Sequence, residues 1–197
     1  ADDVHLNLLP LFHVAGLFMA TGSFHAGALS VNMGRFDAQQ AVDLIEEKKV
    51  TFLYDFSPIL SSILDAHEKT GKDIRSLKAV KGLENPETIE RYQKLTGGTF
   101  YCVYGETETS AMATLGAYND RPGSAGKPLE LADVRLVDEN DNAVNTGDVG
   151  EITVKGDNVT RHYFEKPKAD SLAKIRDDKE IWHRMGDLGW LDKIGRL

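Results

Sequence analysis

Residues 99–110 read TFYCVYGETETS. Thr99, Phe100, Tyr101, Val103 and Tyr104 are β-branched or aromatic, and small Cys102 fits among them, so the first six residues read as a buried strand. Gly105 breaks the run. Glu106, Thr107, Glu108, Thr109 and Ser110 follow, all polar. A buried strand that opens into carboxylates and hydroxyls describes the carboxyl end of a strand in an open α/β sheet, where such folds collect ligands.

The flanks support that fold. Strand-like runs stand at 28–33 (ALSVNM), 50–56 (VTFLYDF) and 77–80 (LKAV), with helical patterns between them. Asp37 is an N-cap with Gln40 three residues on, and Ala41, Leu44 and Ile45 then share one face. Ser57-Pro58 starts the next helix with proline at its first position, and Gly71 ends it. Asn85-Pro86 opens a third and Gly97-Gly98 closes it. Strands and helices alternating at short spacing predict a parallel sheet with crossover helices.

Beyond residue 118 the pattern changes. The segment DVRLVDENDNAVNTGDVGEITVKG (133–156) holds two strand runs around an Asn/Asp/Gly-rich turn, which predicts antiparallel pairing. The expected fold class is therefore α/β: a parallel sheet with crossover helices, then a smaller antiparallel, β-rich and barrel-like region. The boundary is placed at Tyr118–Pro122, giving regions 1–118 and 119–197.

Composition excludes several classes. Of 197 residues, 41% are hydrophobic and 27% charged, an ordinary globular balance. The net charge is −8 with signs interleaved, so no basic face offers itself to nucleic acid. Lys48 and Lys49 read as a solvated helix end. Cys102 is the only cysteine, which excludes disulfides and CxxC sites. No apolar run reaches the length of a transmembrane segment and no signal peptide stands out, so a cytoplasmic location is expected. TGSFHAG (21–27) lacks the Gly-x-Ser-x-Gly elbow of a hydrolase. GSAGKP (123–128) lacks Walker spacing and puts Pro128 where a metal-binding hydroxyl is required.

The opening stretch carries chemistry of its own. Tyr104 could stack on a flat ring, Gly105 allows close backbone approach, and Glu108 offers oxygen to a divalent cation. A ring beside a metal-bound polyanion describes a nucleotide. The same residues would equally serve as the polar start of a helix after a buried strand.

Further segments resemble motifs of the adenylate-forming superfamily, which contains acyl-CoA synthetases, luciferases and the adenylation domains of peptide synthetases. YGETETS resembles its adenine loop, aromatic-Gly-x-Thr-Glu. LPLFHVAGL (9–17), RPGSAGKPL (121–129), GDVGEITVKGDNVTRHYFEKP (147–167) and WHRMGDLGWLDKIGRL (182–197) resemble four more of its motifs, in the family's order. GRFDAQQAVDLIEEKKVTFL (34–53) also follows the family's wording.

The resemblance implies an AMP-forming acyl-CoA synthetase that uses ATP, Mg²⁺ and CoA on a carboxylic, typically fatty, acid. It implies that Tyr104 stacks on adenine, with Gly105 and Glu106 part of the same nucleotide loop. Thr107 would approach the α-phosphate, and Glu108 would hold Mg²⁺, so these two are the implied catalytic residues. Asp187 would accept from both ribose hydroxyls, and His13 would border the acyl pocket. Read without the family, Asp187 is a turn residue and His13 a packed imidazole.

The chain departs from the family at several places. Met185 stands where the family has Thr, His162 replaces the glycine of a Gly-Tyr pair, and VKGLENPE (80–87) lacks the Gly-Gly-Ala-Pro-like wording. The phosphate loop upstream and the C-terminal domain with its lysine downstream are absent from this sequence. It therefore reads as a middle fragment, expected to be inactive alone and to self-associate through sheet edges. Two other readings stand beside it: an amino-acid-activating adenylation domain, and a non-catalytic nucleotide-binding module. The former typically carries an Asp near LPLFH, where this chain has His13, Val14, Ala15 and Leu17.

Overall fold

The computed structural model describes residues 2–176 and 180–197. Its strands fall into a mainly parallel seven-stranded sheet and a separate four-stranded antiparallel sheet, the α/β class expected. The chain divides into two compact units, Ala1–Cys102 with Ala117–Pro122, and Val103–Gly116 with Gly123–Leu197. The single division expected near residue 118 is thus replaced by a chain that leaves its first unit within a strand and briefly returns. The reason is local: the loop after Tyr104 bonds to Asn158 and Thr160 and goes with them.

In the first unit, β1 (Val4–Asn7), α1 (Val14–His25), β2 (Leu29–Asn32), α2 (Ala38–Lys48), β3 (Phe52–Phe56), α3 (Ile59–Thr70), β4 (Ala79–Leu83), α4 (Pro86–Thr96) and β5 (Thr99–Tyr104) follow in order. The parallel strands stand in the order β2-β1-β3-β4-β5. The helix signals act as read. Asp37 Oδ1 accepts from Gln40 N at 2.8 Å and Asn85 Oδ1 from Thr88 N at 2.9 Å. Gly71 and Gly97 end α3 and α4 with φ near +70°, a conformation without penalty for glycine. Pro58 is the N-cap of α3 rather than its first residue, and makes no side-chain cap. Asp55 supplies the missing acceptor, taking Leu60 N at 2.9 Å.

The two faces of this sheet differ. Leu6, Leu53, Val80 and Phe100 are register neighbours across four strands, all fully buried. They form one cluster with Val42 and Ile45 of α2, Leu60 and Ile63 of α3, and Ile89 and Tyr92 of α4. Burying each such side chain contributes about 1.5–3 kcal/mol before entropy is counted. The opposite face carries His5 beside Phe52, then Tyr54, Lys81 and Tyr101 in one row. Against this face lies α1, which packs on β1, β2 and β3. β1 and α1 were not anticipated from the sequence.

In the second unit, β6 (Thr114–Ala117) and β7 (Lys127–Pro128) pair antiparallel and close the order of the large sheet. β8 (Ala132–Val137), β9 (Gly150–Gly156), α5 (Pro167–Ala173), β10 (Lys174–Arg176) and β11 (Ile181–Gly189) complete the unit. Its antiparallel sheet runs β10-β11-β9-β8, the smaller antiparallel, β-rich region expected. Leu136, Ile152, Val154 and Met185 form its core with Ala113 and Ala132. No helix among the described residues is long and apolar enough to cross a membrane.

Candidate functional site

β5 ends at Tyr104, and the chain doubles back at once. A Cβ on Gly105 would lie 2.6 Å from both Ala111 O and Met112 Cα, so only glycine fits. Glu106 then caps a single 3₁₀ turn, Thr107–Thr109, through a reciprocal capping box with Thr109. Its N–H donates to Thr109 Oγ1 at 3.0 Å, and its carboxylate accepts from Thr109 N. Ser110 and Ala111 take positive φ, +55° and +88°, and Ala113 N reaches Tyr104 O at 2.8 Å to close the loop.

A residue remote in sequence fixes that loop. Asn158 Nδ2 donates to Thr109 O at 3.0 Å and to Met112 O at 3.2 Å, while Ser110 Oγ donates to Asn158 O at 2.7 Å. Thr160 N donates to Glu108 O at 2.7 Å. Lys174, only 5% exposed, donates to Thr160 O at 2.5 Å and lies 6.0 Å from the centre of the Tyr163 ring. Burial pulls the Lys174 pKa down.

The expected site residues of this unit fall into two groups. In the first, Tyr104 Oη donates to Asp187 Oδ2 at 2.7 Å. Burial, followed by Asp187's own charge, drives the Tyr104 pKa up, so the phenol stays protonated and donates. Asp187 is exposed, and follows Gly186 at a register shift between Arg184 and Leu188 where β11 and β9 lose pairing. Such a bulge re-aims one side chain out of the ladder. The same irregularity leaves Met185 in the core, so the residue that replaces the family's Thr is a packing residue here.

In the second group, Tyr163 Oη donates to Glu108 Oε1 at 2.8 Å. Burial and the Glu108 carboxylate push the Tyr163 pKa up to about 12. Tyr163 is itself anchored by α5, its N–H donating to Asp170 Oδ1 at 2.8 Å. Glu106 meets Nε2 of His183, which is 2% exposed. Ligand atoms of Glu106, Glu108 and His183 lie within 4.8 Å of one another. Glu106 is occupied by the imidazole and its own cap, which leaves Glu108 as the available carboxylate. One carboxylate, with waters and substrate phosphates, is an ordinary donor set for Mg²⁺, so the residues fit that ion. Thr107 is exposed on the turn beside Glu108.

His13, the remaining expected residue, belongs to the first unit. Its Nδ1 accepts from Ala15 N at 3.2 Å and so caps α1, and its ring meets Phe56 edge-on at 6.2 Å. Sequence reasoning missed Tyr163, His183, Asn158 and Lys174. Only Tyr163 carried a signal, as the aromatic of the Gly-Tyr pair whose glycine is His162 here.

Comparison with known proteins bears on the family and the fold. The family described as AMP-binding enzyme matches residues 1–164. The indoleacetate–CoA ligase of Aromatoleum aromaticum is 33% identical over 203 residues, covering 100% of this chain and 39% of that protein. The 2-succinylbenzoate–CoA ligase of a Geobacillus strain is 34% identical over 200 residues, covering 100% and 40%. Thus the chain spans about two fifths of the length of these relatives. Among solved structures, a candidate long-chain fatty-acid CoA ligase from Rhodopseudomonas palustris superposes with a TM-score of 0.90 at 41% identity, over 98% of this chain and 48% of that one. The Bacillus subtilis o-succinylbenzoate CoA synthetase in complex with ATP and magnesium gives 0.85 at 28% identity, over 99% and 40%.

Proposed function

The chain belongs to the AMP-binding enzyme family, and we propose that it forms the nucleotide-holding and acid-holding part of an AMP-forming CoA ligase. In that reaction a carboxylate attacks the α-phosphate of ATP to give acyl-adenylate and pyrophosphate. The thiol of CoA then takes the acyl group and releases AMP. The observation that carries the reading is the pairing of Tyr104 with Asp187 in the unit that also presents Glu108.

Each residue has a task its chemistry allows. The Tyr104 ring stacks on adenine beside the backbone of Gly105 and Glu106. Asp187 uses its free oxygen, and then both, to accept from the ribose hydroxyls. Thr107 donates its hydroxyl toward the α-phosphate. Glu108, oriented by Tyr163, would hold Mg²⁺, which when bound offsets charge on the phosphate oxygens. His13 and the neighbouring Val14, Ala15 and Leu17 border an apolar stretch of acyl chain and offer no carboxylate to an ammonium, which supports a fatty acid over an amino acid. Self-association through β2, an edge strand with Leu29 exposed, belongs to the same proposal, as does a cytoplasmic location.

The test is calorimetric titration of the purified chain with AMP, and with ATP in the presence and absence of Mg²⁺. AMP binding that Asp187→Ala weakens about tenfold, and a Mg²⁺-dependent gain for ATP that Glu108→Gln removes, are the expected results. AMP binding unchanged in Asp187→Ala, or a Mg²⁺ gain that survives Glu108→Gln, would overturn the assignment.

A further inference from the structure

The sheet face opposite the aliphatic core carries a cation that has no counter-ion among the described residues. Lys81 stands in β4, in register with Tyr54 of β3. Its Nζ lies 5.2 Å from the centre of the Phe18 ring on α1 and 5.8 Å from that of Tyr54. Tyr54 in turn packs on Phe56 at 5.2 Å, and Phe56 meets His13 at 6.2 Å. One aromatic row therefore leads from His13 to the Lys81 ammonium, all of it within the first unit.

No carboxylate pairs with Lys81 among the described residues. The ion pairs of the neighbouring elements use Lys72, Arg75 and Arg91. Asp55 lies one register step away, but its carboxylate is turned to the N–H of Leu60. Two aromatic faces stabilise a cation by less than the cost of withdrawing an unpaired ammonium from water. Burial accordingly draws the Lys81 pKa down to about 8, which leaves it largely charged near neutral pH.

We propose that Lys81 receives a second carboxylate on the acid substrate, so that the ligase selects a dicarboxylic acid with an apolar chain between its two acid groups. The inference rests on the ligase reading and on His13 bordering the acyl pocket. The reacting carboxylate would face the nucleotide. The His13 and Phe56 rings, at the accessible end of the row, would meet the methylene chain. The ammonium would supply the distal carboxylate with a charge-assisted partner, which in turn removes the cost of the unpaired cation.

The probes are hexanedioate, octanedioate and decanedioate against the matching monocarboxylates, titrated calorimetrically into the chain near neutral pH. At least one diacid should bind about tenfold tighter than its monoacid, the worth of one hydrogen bond to a charged group. Lys81→Met should erase that preference while monoacid affinity stays within about threefold, and Lys81→Arg should restore part of it. Lys81→Gln serves the same purpose if the methionine variant fails to fold. Equal binding of diacids and monoacids, or a preference that survives removal of the ammonium, would overturn the inference and leave the ligase reading standing. Loss of both acids and of AMP together would overturn that reading as well.

Discussion

The Tyr104 hydroxyl donates to Asp187 Oδ2 at 2.7 Å although 83 residues of chain separate the two. An incoming ribose must share that carboxylate or displace the phenol, so ring and hydroxyl act in different senses. Tyr104→Phe keeps the stacking face and frees Asp187; AMP affinity should stay within about threefold of the parent. Tyr104→Ala removes a stacking partner for adenine, worth about 1–3 kcal/mol, and should weaken AMP tenfold or more. Equal losses in the two variants, read by calorimetry, would refute the stack.

Glu108 takes its hydrogen bond from Tyr163, a residue with no role in the sequence reading. Removing an outer partner of a metal-binding carboxylate commonly weakens metal binding about 10- to 100-fold. Tyr163→Phe should therefore raise the dissociation constant for Mn²⁺ in the presence of ATP by about tenfold, measured by electron paramagnetic resonance of the free ion. The melting temperature of the metal-free chain should change little. An unaltered Mn²⁺ affinity would show that Glu108 needs no such support.

Asp55 is fully buried with Oδ2 unpartnered, and burial raises its pKa from 3.8 to about 7, aided by Glu84. Between those values the unfolded chain is ionised while the folded chain keeps its proton, so this group lowers stability as pH rises. His5 has the opposite sense: burial lowers its pKa from 6.5 to about 4, and its contribution is lost as pH falls through that window. The two slopes offset each other, and Asp55→Asn isolates one. The asparagine still accepts from Leu60 N. Its stability relative to the parent should rise from about pH 4 to pH 7 and then level off, by about 3–4 kcal/mol in urea unfolding. A difference independent of pH would mean that Asp55 is ionised throughout.

Gly105 admits no side chain, because the obstructing atoms are backbone. Gly105→Ala should cost about 1–3 kcal/mol in stability and also lower AMP affinity, since Tyr104 and Glu106 flank it. A variant that melts with the parent would contradict the loop geometry.

The α/β class and three of the helices were legible because their signals are local. Asp37, Asn85, Gly71 and Gly97 each act within four residues. β1 and α1 were not legible. β1 is four residues long and buries His5 and Asn7, while α1 is apolar on most sides and is capped by a histidine, so neither shows a clean period. The candidate site divides the same way. Tyr104, Glu106 and Glu108 sit in one readable stretch. Tyr163 and His183 reach it from 55 and 77 residues away, and no spacing rule announces such partners.

Descent would treat Asn158 and residues 109–112 as one character rather than five. Its amide holds the carbonyls of Thr109 and Met112, and its own carbonyl takes the hydroxyl of Ser110. A lineage that loses Asn158 must rebuild the turn under Glu108 before it can keep the site, so substitutions at these positions should be inherited together. Chimaeras that join one relative's loop to another's Asn158 segment should fail where either parent succeeds.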